Sequence, residues 1–259
     1  MSASVSSIYW FHSIDLGGEI SPGQKPAELL AHEWDQMRLP PLAGKSVLDI
    51  GAWDGYFSFR AEDAGAARVV ALDHYVWSLR LDEQQAYYRA CKAAGVAPDQ
   101  YHERPDLWDP VGLPGKAGFD TAHRARNSRV EAVVGDFMTV DADALGTFDV
   151  VFFLGVLYHL EEPLTGLRRL RSLTRELAVI ETVATFVEGH PDRPLAEFFP
   201  FAELDGDVGN WWATNEPALH GMCRAAGFST VETVAAPPRD ALEPVDGVAR
   251  YRIVVHARP

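Results

Sequence analysis

SVLDIGAWDGYFSFRAEDAGAARVVALD, residues 46–73, decides how the chain folds. Val47, Leu48 and Ile50 make a short apolar run that enters a turn carrying Gly51 and Gly55. A helix pattern over Tyr56 to Ala64 follows, then a second apolar run, Val69 to Leu72, ending on Asp73. A buried strand running through a glycine turn into a helix sets backbone N–H groups and a helix N-terminus at the carboxyl edge of a parallel sheet. Open α/β sheets bind ligands there. Asp73 stands about 22 residues beyond Gly51, the offset at which a strand-end carboxylate reaches ribose hydroxyls. The stretch reads as a nucleoside site. An ordinary βαβ unit without a ligand is the plainer reading, and acids at both the turn and the next strand end argue against it.

The turn narrows the choice of nucleoside. A dinucleotide fingerprint needs G-x-G-x-x-G/A, and the second and third places here hold Trp53 and Tyr56. No Gly-Lys-Ser/Thr follows, so the turn is not a phosphate-cradling loop either. A ligand without pyrophosphate, its positive end near Asp49 and Asp54, suits the turn better. S-adenosylmethionine (SAM) joins an adenosine to a sulfonium and an amino-acid tail. VLDIGAWDG, with Asp73 as the ribose acid, resembles the first motif of class I SAM-dependent methyltransferases.

Composition bounds the rest. With 259 residues and a single nucleotide-type unit, one elaborated domain is expected. Cys91 and Cys223 show no metal or disulfide spacing, which suits a reducing compartment. The first residues lack a basic region ahead of an apolar core, and the longest apolar run, Val150 to Leu157, is too short to span a bilayer. A soluble, cytoplasmic protein without membrane contact is the expectation. A formal charge of −14 repels polyanions on average, so nucleic acid is disfavoured as a partner. Of the basic stretches, Arg124 to Arg129 and Leu167 to Arg175, the second carries its apolar residues at helical spacing and reads as a solvated helix face.

Residues 1–45 precede the first strand and hold Trp10, Phe11, His12 and Trp34, with a helix expected after Pro26. They read as a lid over the nucleoside site or as a brace on the core. Residues 46–259 make the main domain, interrupted by irregular insertions at 95–128 and 184–215. Between them lie a helix from Leu79 to Ala94, a third strand from Val130 to Gly135 and a central strand within Phe148 to Leu157, apolar on both faces. A helix from Pro163, a fifth strand from Glu176 to Val183 and a helix from Pro217 capped by Gly227 come next. Thr230 to Ala235 and Ala249 to Ala257 close the chain as an antiparallel pair. The fold expected is α/β: a Rossmann-like, seven-stranded, mostly parallel sheet with an antiparallel last strand, an N-terminal lid and insertions.

Three further stretches, WFHSIDLGG, GVLYHLEEPLTGLRRLRSL and NWWATN, resemble the family that includes the tRNA wobble-uridine carboxymethyl/methoxy transferases. The resemblance implies SAM as methyl donor and S-adenosylhomocysteine as product. It implies donor contacts at Asp49, Gly51, Trp53, Asp54, Gly55, Phe57, Asp73, His74, Leu154 and Gly155, with Asp136 at the adenine amino group and Phe137 beside the ring. Asp136 also reads as a helix cap for the segment that follows. The tRNA-modifying members carry a basic N-terminal portion, whereas Lys25 is the only lysine in residues 1–33. A small-molecule acceptor of secondary-metabolite type, methylated at oxygen, is therefore preferred. A tRNA wobble-uridine transferase is the alternative, and a non-catalytic SAM-binding protein the second alternative.

Methyl transfer asks a protein mainly for alignment, and a hydroxyl acceptor adds the need for a base. His159, where the fourth strand releases the chain, is the first candidate and His12 the second. Each also reads as a structural histidine satisfied by a backbone group. Tyr158 is placed to hydrogen-bond the acceptor or to pack. Trp10, Asn210, Trp211 and Trp212 are candidate walls of the acceptor pocket, with core filling as the other reading. Glu181, Asp136 and His159 have no close ligand spacing, so no metal is expected.

Overall fold

Val47–Ile50 and Val69–Leu72 become parallel neighbours, with Val47 opposite Val69 and Ile50 opposite Leu72. The computed structural model describes residues 4–100 and 104–259. It divides into two compact units, residues 1–140 and 141–259.

In the first unit a loop leads into α1, Ala27–Gln36, with Pro26 at the N-cap position. Leu30 and Met37 are buried while Leu29 stays exposed, so the inward stripe is narrower than its spacing suggests. Then follow β1, Ser46–Ile50, α2, Tyr56–Asp63, β2, Arg68–Asp73, α3, Tyr75–Ser78, α4, Leu81–Ala94, α5, Ala117–Ala125, and β3, Glu131–Val134. β3 runs parallel to β2 on the side away from β1. Two expectations change here. The helix predicted over Leu79 to Ala94 starts two residues later, at Leu81, because extended Leu79 bridges Trp108 and the Arg80 N–H donates to the Leu107 carbonyl. The insertion at 95–128 contains α5, which hides only Gly118, Phe119 and Ala122 and so leaves a weak apolar period in the sequence. Gly115, just before it, lies so close to α3 that a Cβ would sit 2.0 Å from the Val76 carbonyl oxygen.

The second unit holds α6, Ala142–Leu145, β4, Phe148–Leu154, α7, Pro163–Leu173, and β5, Thr174–Val187. β6, Ala196–Phe198, β7, Trp212–Thr214, α8, Glu216–Ala225, β8, Thr230–Ala235, and β9, Val248–Arg258, complete it. β4 is buried on both faces, as its unbroken apolar run requires, and pairs parallel with β5. α7 turns Leu167, Leu170 and Leu173 inward, at the helical spacing read in that basic stretch. β9 pairs antiparallel with β5 from Ala178 to Val187, and with β8 on its other edge. That long pairing carries β5 past Val183, and β6 and β7 form a short antiparallel pair inside the insertion expected to be irregular. α8 starts at Glu216 because the Asn215 side chain accepts the Ala218 N–H at 3.0 Å, with Pro217 in the first turn. The class is the α/β one expected, with parallel pairing among the early strands and an antiparallel close. Nine strands form among the described residues, the seven expected and the short β6 and β7. Among the described residues no helix is long and apolar enough to cross a membrane.

Candidate functional site

The turn after β1 has an unusual backbone. Gly51, Trp53 and Gly55 all have positive φ, and a Cβ on Gly55 would lie 2.7 Å from the Phe119 ring. The Trp53 N–H donates to Asp73 Oδ2 at 2.9 Å, and the Val76 N–H to Asp73 Oδ1 at 3.1 Å. One carboxylate at the end of β2 thus ties the turn to the start of α3. Burial pushes its carboxyl up to about 6, against the pull of these backbone bonds. The Trp77 indole N–H donates to the Trp53 carbonyl at 2.7 Å, which fixes the turn from its other side.

Asp49 is buried and accepts the Ser58 hydroxyl at 2.6 Å. Asp54 is fully buried, and its Oδ2 accepts the N–H of Phe11 at 2.7 Å and of His12 at 2.9 Å. Its Oδ1 has no hydrogen-bond partner. Burial raises both carboxyls to about 7. His12 is 5% exposed, and burial, with Lys25 adding to it, holds its imidazole neutral down to about pH 3. Its Nδ1 lies 3.7 Å from Asp54 Oδ2. Phe11 stacks flat on Trp53 at 4.0 Å, and His12 meets Trp53 and Phe57 edge-on. The structure therefore gathers Asp49, Gly51, Trp53, Asp54, Gly55, Phe57, Asp73 and His12 around one turn. Trp10 is buried, its indole N–H donating to the Val5 carbonyl. His74 is half-buried and meets Trp108 edge-on. After β3, exposed Asp136 accepts the Met138 N–H at 2.8 Å and Phe137 is buried.

In the second unit β4 ends at Leu154 and the chain turns at Gly155, φ +72. Tyr158 and His159 follow with their rings 4.2 Å apart. His159 Nδ1 lies 2.9 Å from the Gly209 carbonyl oxygen. A carbonyl only accepts, so the neutral imidazole carries its proton on Nδ1 and leaves Nε2 unprotonated. Burial lowers the His159 pKa, with Asp207 opposing. Tyr158 packs on the cluster of Val183, Phe199, Leu204 and Ala213, and burial raises its phenol. Its carbonyl accepts the Trp211 N–H at 2.8 Å.

Two participants went unnoticed in the sequence. The Arg252 guanidinium lies 5.1 Å from the Tyr158 ring centre and is held by both oxygens of Glu181. Its signal was available: Arg250 and Arg252 alternate at the start of the final strand ahead of an apolar run, and Glu181 follows the apolar run Leu177 to Ile180 in β5. Phe198 is the second, stacked with Trp211 and 4.8 Å from Trp212. Asn210 is buried, with its amide donating to the Leu204 carbonyl.

Comparison with known proteins identifies the family. Residues 24–233 match the family described as a methyltransferase domain. A tRNA U34 carboxymethyltransferase of Pseudomonas fluorescens is 27% identical over 205 residues, 78% of this chain and 52% of the relative. The enzyme of that name from Methylococcus capsulatus is 26% identical over 201 residues, 77% of this chain and 49% of the relative. The chain thus spans about half the length of the curated relatives it matches. The N-terminal domain of EvdMO1, crystallised in the presence of SAH and D-fucose, superposes with a TM-score of 0.53 at 18% identity, covering 96% of this chain and 91% of that one. The same domain with SAH bound gives a TM-score of 0.55 at 17% identity, with 96% and 91% covered. Those likenesses concern the fold. With the family match running over most of its length, the chain belongs to the methyltransferase-domain family, the SAM-dependent class I methyltransferases that its first motif resembles.

Proposed function

We propose that this chain methylates an oxygen of a small-molecule acceptor. The observation that carries the choice of acceptor is how the basic stretches are spent. Arg126 pairs with Asp63, Arg129 with Glu62 and Arg175 with Asp149, while Arg171 donates to the Gly227 carbonyl. Three of the seven arginines in those stretches are thus matched to carboxylates, and with a formal charge of −14 this lowers what the chain can offer a polyanion.

Donor binding is assigned to the turn after β1, with Asp49, Gly51, Trp53, Gly55, Phe57 and His74 around it. The residues fit an adenosine donor. Buried carboxylates line the turn, and one of their oxygens, Asp54 Oδ1, has no partner, which suits a donor carrying hydroxyls and a positive charge. Asp73 would hold the ribose, Asp136 the adenine amino group and Phe137 the ring. When bound, SAM supplies an electrophilic methyl group on a sulfonium. His159, neutral with Nε2 unprotonated, is assigned as the group that takes the acceptor's hydroxyl proton, with His12 as the second candidate. Tyr158 orients the acceptor, held by Arg252 and Glu181. Asn210, Trp211 and Trp212 shape the acceptor's surroundings.

The names of the curated relatives favour a second reading, transfer to tRNA wobble uridine. One experiment separates the two. The chain is incubated with SAM and either a metabolite extract or unmodified tRNA, and SAH release and a mass gain of one methyl are followed. Methylation of a small molecule supports the proposal. Methylation of tRNA, with affinity falling steeply as salt rises, would replace it.

A further inference from the structure

Residues 9–25 are a strap with its own hydrogen-bond ladder. The Lys25 N–H donates to the Phe11 carbonyl at 2.8 Å and the Ser13 N–H to the Lys25 carbonyl at 3.1 Å. Ser21 Oγ accepts the Ile14 N–H at 2.8 Å and donates to the His12 carbonyl at 2.9 Å. Gly23 packs so tightly beneath that a Cβ would lie 2.2 Å from the His12 carbonyl carbon. The strap meets the turn after β1 through Asp54, which accepts the amides of Phe11 and His12, and through the Phe11 ring stacked on Trp53.

A fully buried carboxylate with one oxygen unpartnered is costly, and an apolar side chain would fill such a place more cheaply. The structure uses this carboxylate for the two strap amides. Asp54 also neighbours Trp53, whose own N–H goes to Asp73 and whose ring lies under Phe11. A continuous path therefore runs from strap amides through Asp54 and Trp53 to the carboxylate assigned to the ribose.

We infer that Asp54 is a positioning residue for the donor that acts through the strap, so that ordering of residues 9–25 and donor binding strengthen each other. The inference rests on the donor site proposed above. Linkage makes the coupling reciprocal: whatever loosens the strap weakens donor affinity, and bound donor protects the strap.

SAH titrated calorimetrically into the full chain tests it, with hydrogen exchange followed at Phe11 to Ile14. Asp54→Ala is expected to weaken SAH binding about tenfold, the scale of a lost buried hydrogen bond. Asp54→Asn keeps an oxygen for the same amides and is expected to recover to within about threefold of wild type. Ser21→Ala, which loosens the strap without touching the turn, is expected to weaken SAH binding several-fold, and SAH is expected to slow exchange of the strap amides. Weakening by Asp54→Ala with Ser21→Ala equal to wild type would overturn the inference in favour of direct contact with the donor. Equal SAH affinity in all variants would leave Asp54 only structural and overturn it too. Absence of SAH binding to wild type would overturn this inference together with the donor site.

Discussion

Replacing Asp73 by Asn tests the donor site most directly. The carboxylate accepts the Trp53 amide at 2.9 Å on one oxygen and the Val76 amide at 3.1 Å on the other. Asparagine keeps one oxygen, so one of these amides must face an NH₂ group. A buried N–H left unpaired costs about 1–3 kcal/mol, and that loss appears in the unfolding free energy without ligand. The proposed bonds to ribose hydroxyls are charge-assisted, worth a further 1.5–3 kcal/mol or so, which is roughly a 10- to 100-fold loss of donor affinity. Urea unfolding at pH 7.5, above the pKa of about 6, separates the two effects when run with and without SAH. At a SAH concentration about 100 times the wild-type Kd, binding stabilises wild type by about 2.7 kcal/mol; a 100-fold weaker variant gains only about 0.4 kcal/mol at that concentration. If the variant loses stability as calculated yet still gains about 2.7 kcal/mol from SAH, Asp73 braces the turn and does not hold the donor.

Asp49 and Asp54 keep their protons in the folded chain to about pH 7, against an ordinary value of 3.8. The folded state then binds more protons between those values, so stability is full below about 4, falls by about 1.4 kcal/mol per pH unit for each carboxyl up to about 7, and levels off above it. His12, neutral when folded, opposes this slope only below about 6.5. Chemical denaturation from pH 6.5 to 7.5 should show the decline, flattened by one carboxyl's share in Asp54→Asn; a flat wild-type profile would refute the burial argument. Gly115→Ala forces a Cβ to within 2.0 Å of the Val76 carbonyl and should cost about 1–3 kcal/mol in urea melts, whereas wild-type stability would mean that α3 and Pro114–Lys116 can separate freely. His159→Ala should lower kcat about 10²- to 10⁴-fold while leaving SAH affinity unchanged; an unaltered kcat would remove His159 as the base.

Residues 46–73 were legible because strand, turn, helix and strand are neighbours in the chain, and each owes its form to local sterics and a short apolar period. The same held for α7, whose Leu167, Leu170 and Leu173 sit at helical spacing and are all buried. α5 was missed since two substantial apolar positions, Phe119 and Ala122, do not make a recognisable period among prolines and charges. β5 was read short because its last turns of pairing depend on β9, more than sixty residues later.

The amino-acid sequence by itself determined the α/β class, the glycine turn and the strand-end acid, since these follow from backbone freedom and from apolar runs a few residues long. Only the tertiary structure decided what the polar groups are bonded to. Asp54, which the sequence placed beside a ligand's positive end, is claimed by amides 42 and 43 residues away. Arg252 finds Glu181 across 71 residues. A buried charge must be met by whichever groups the packed chain brings to it, and no local pattern records which those will be.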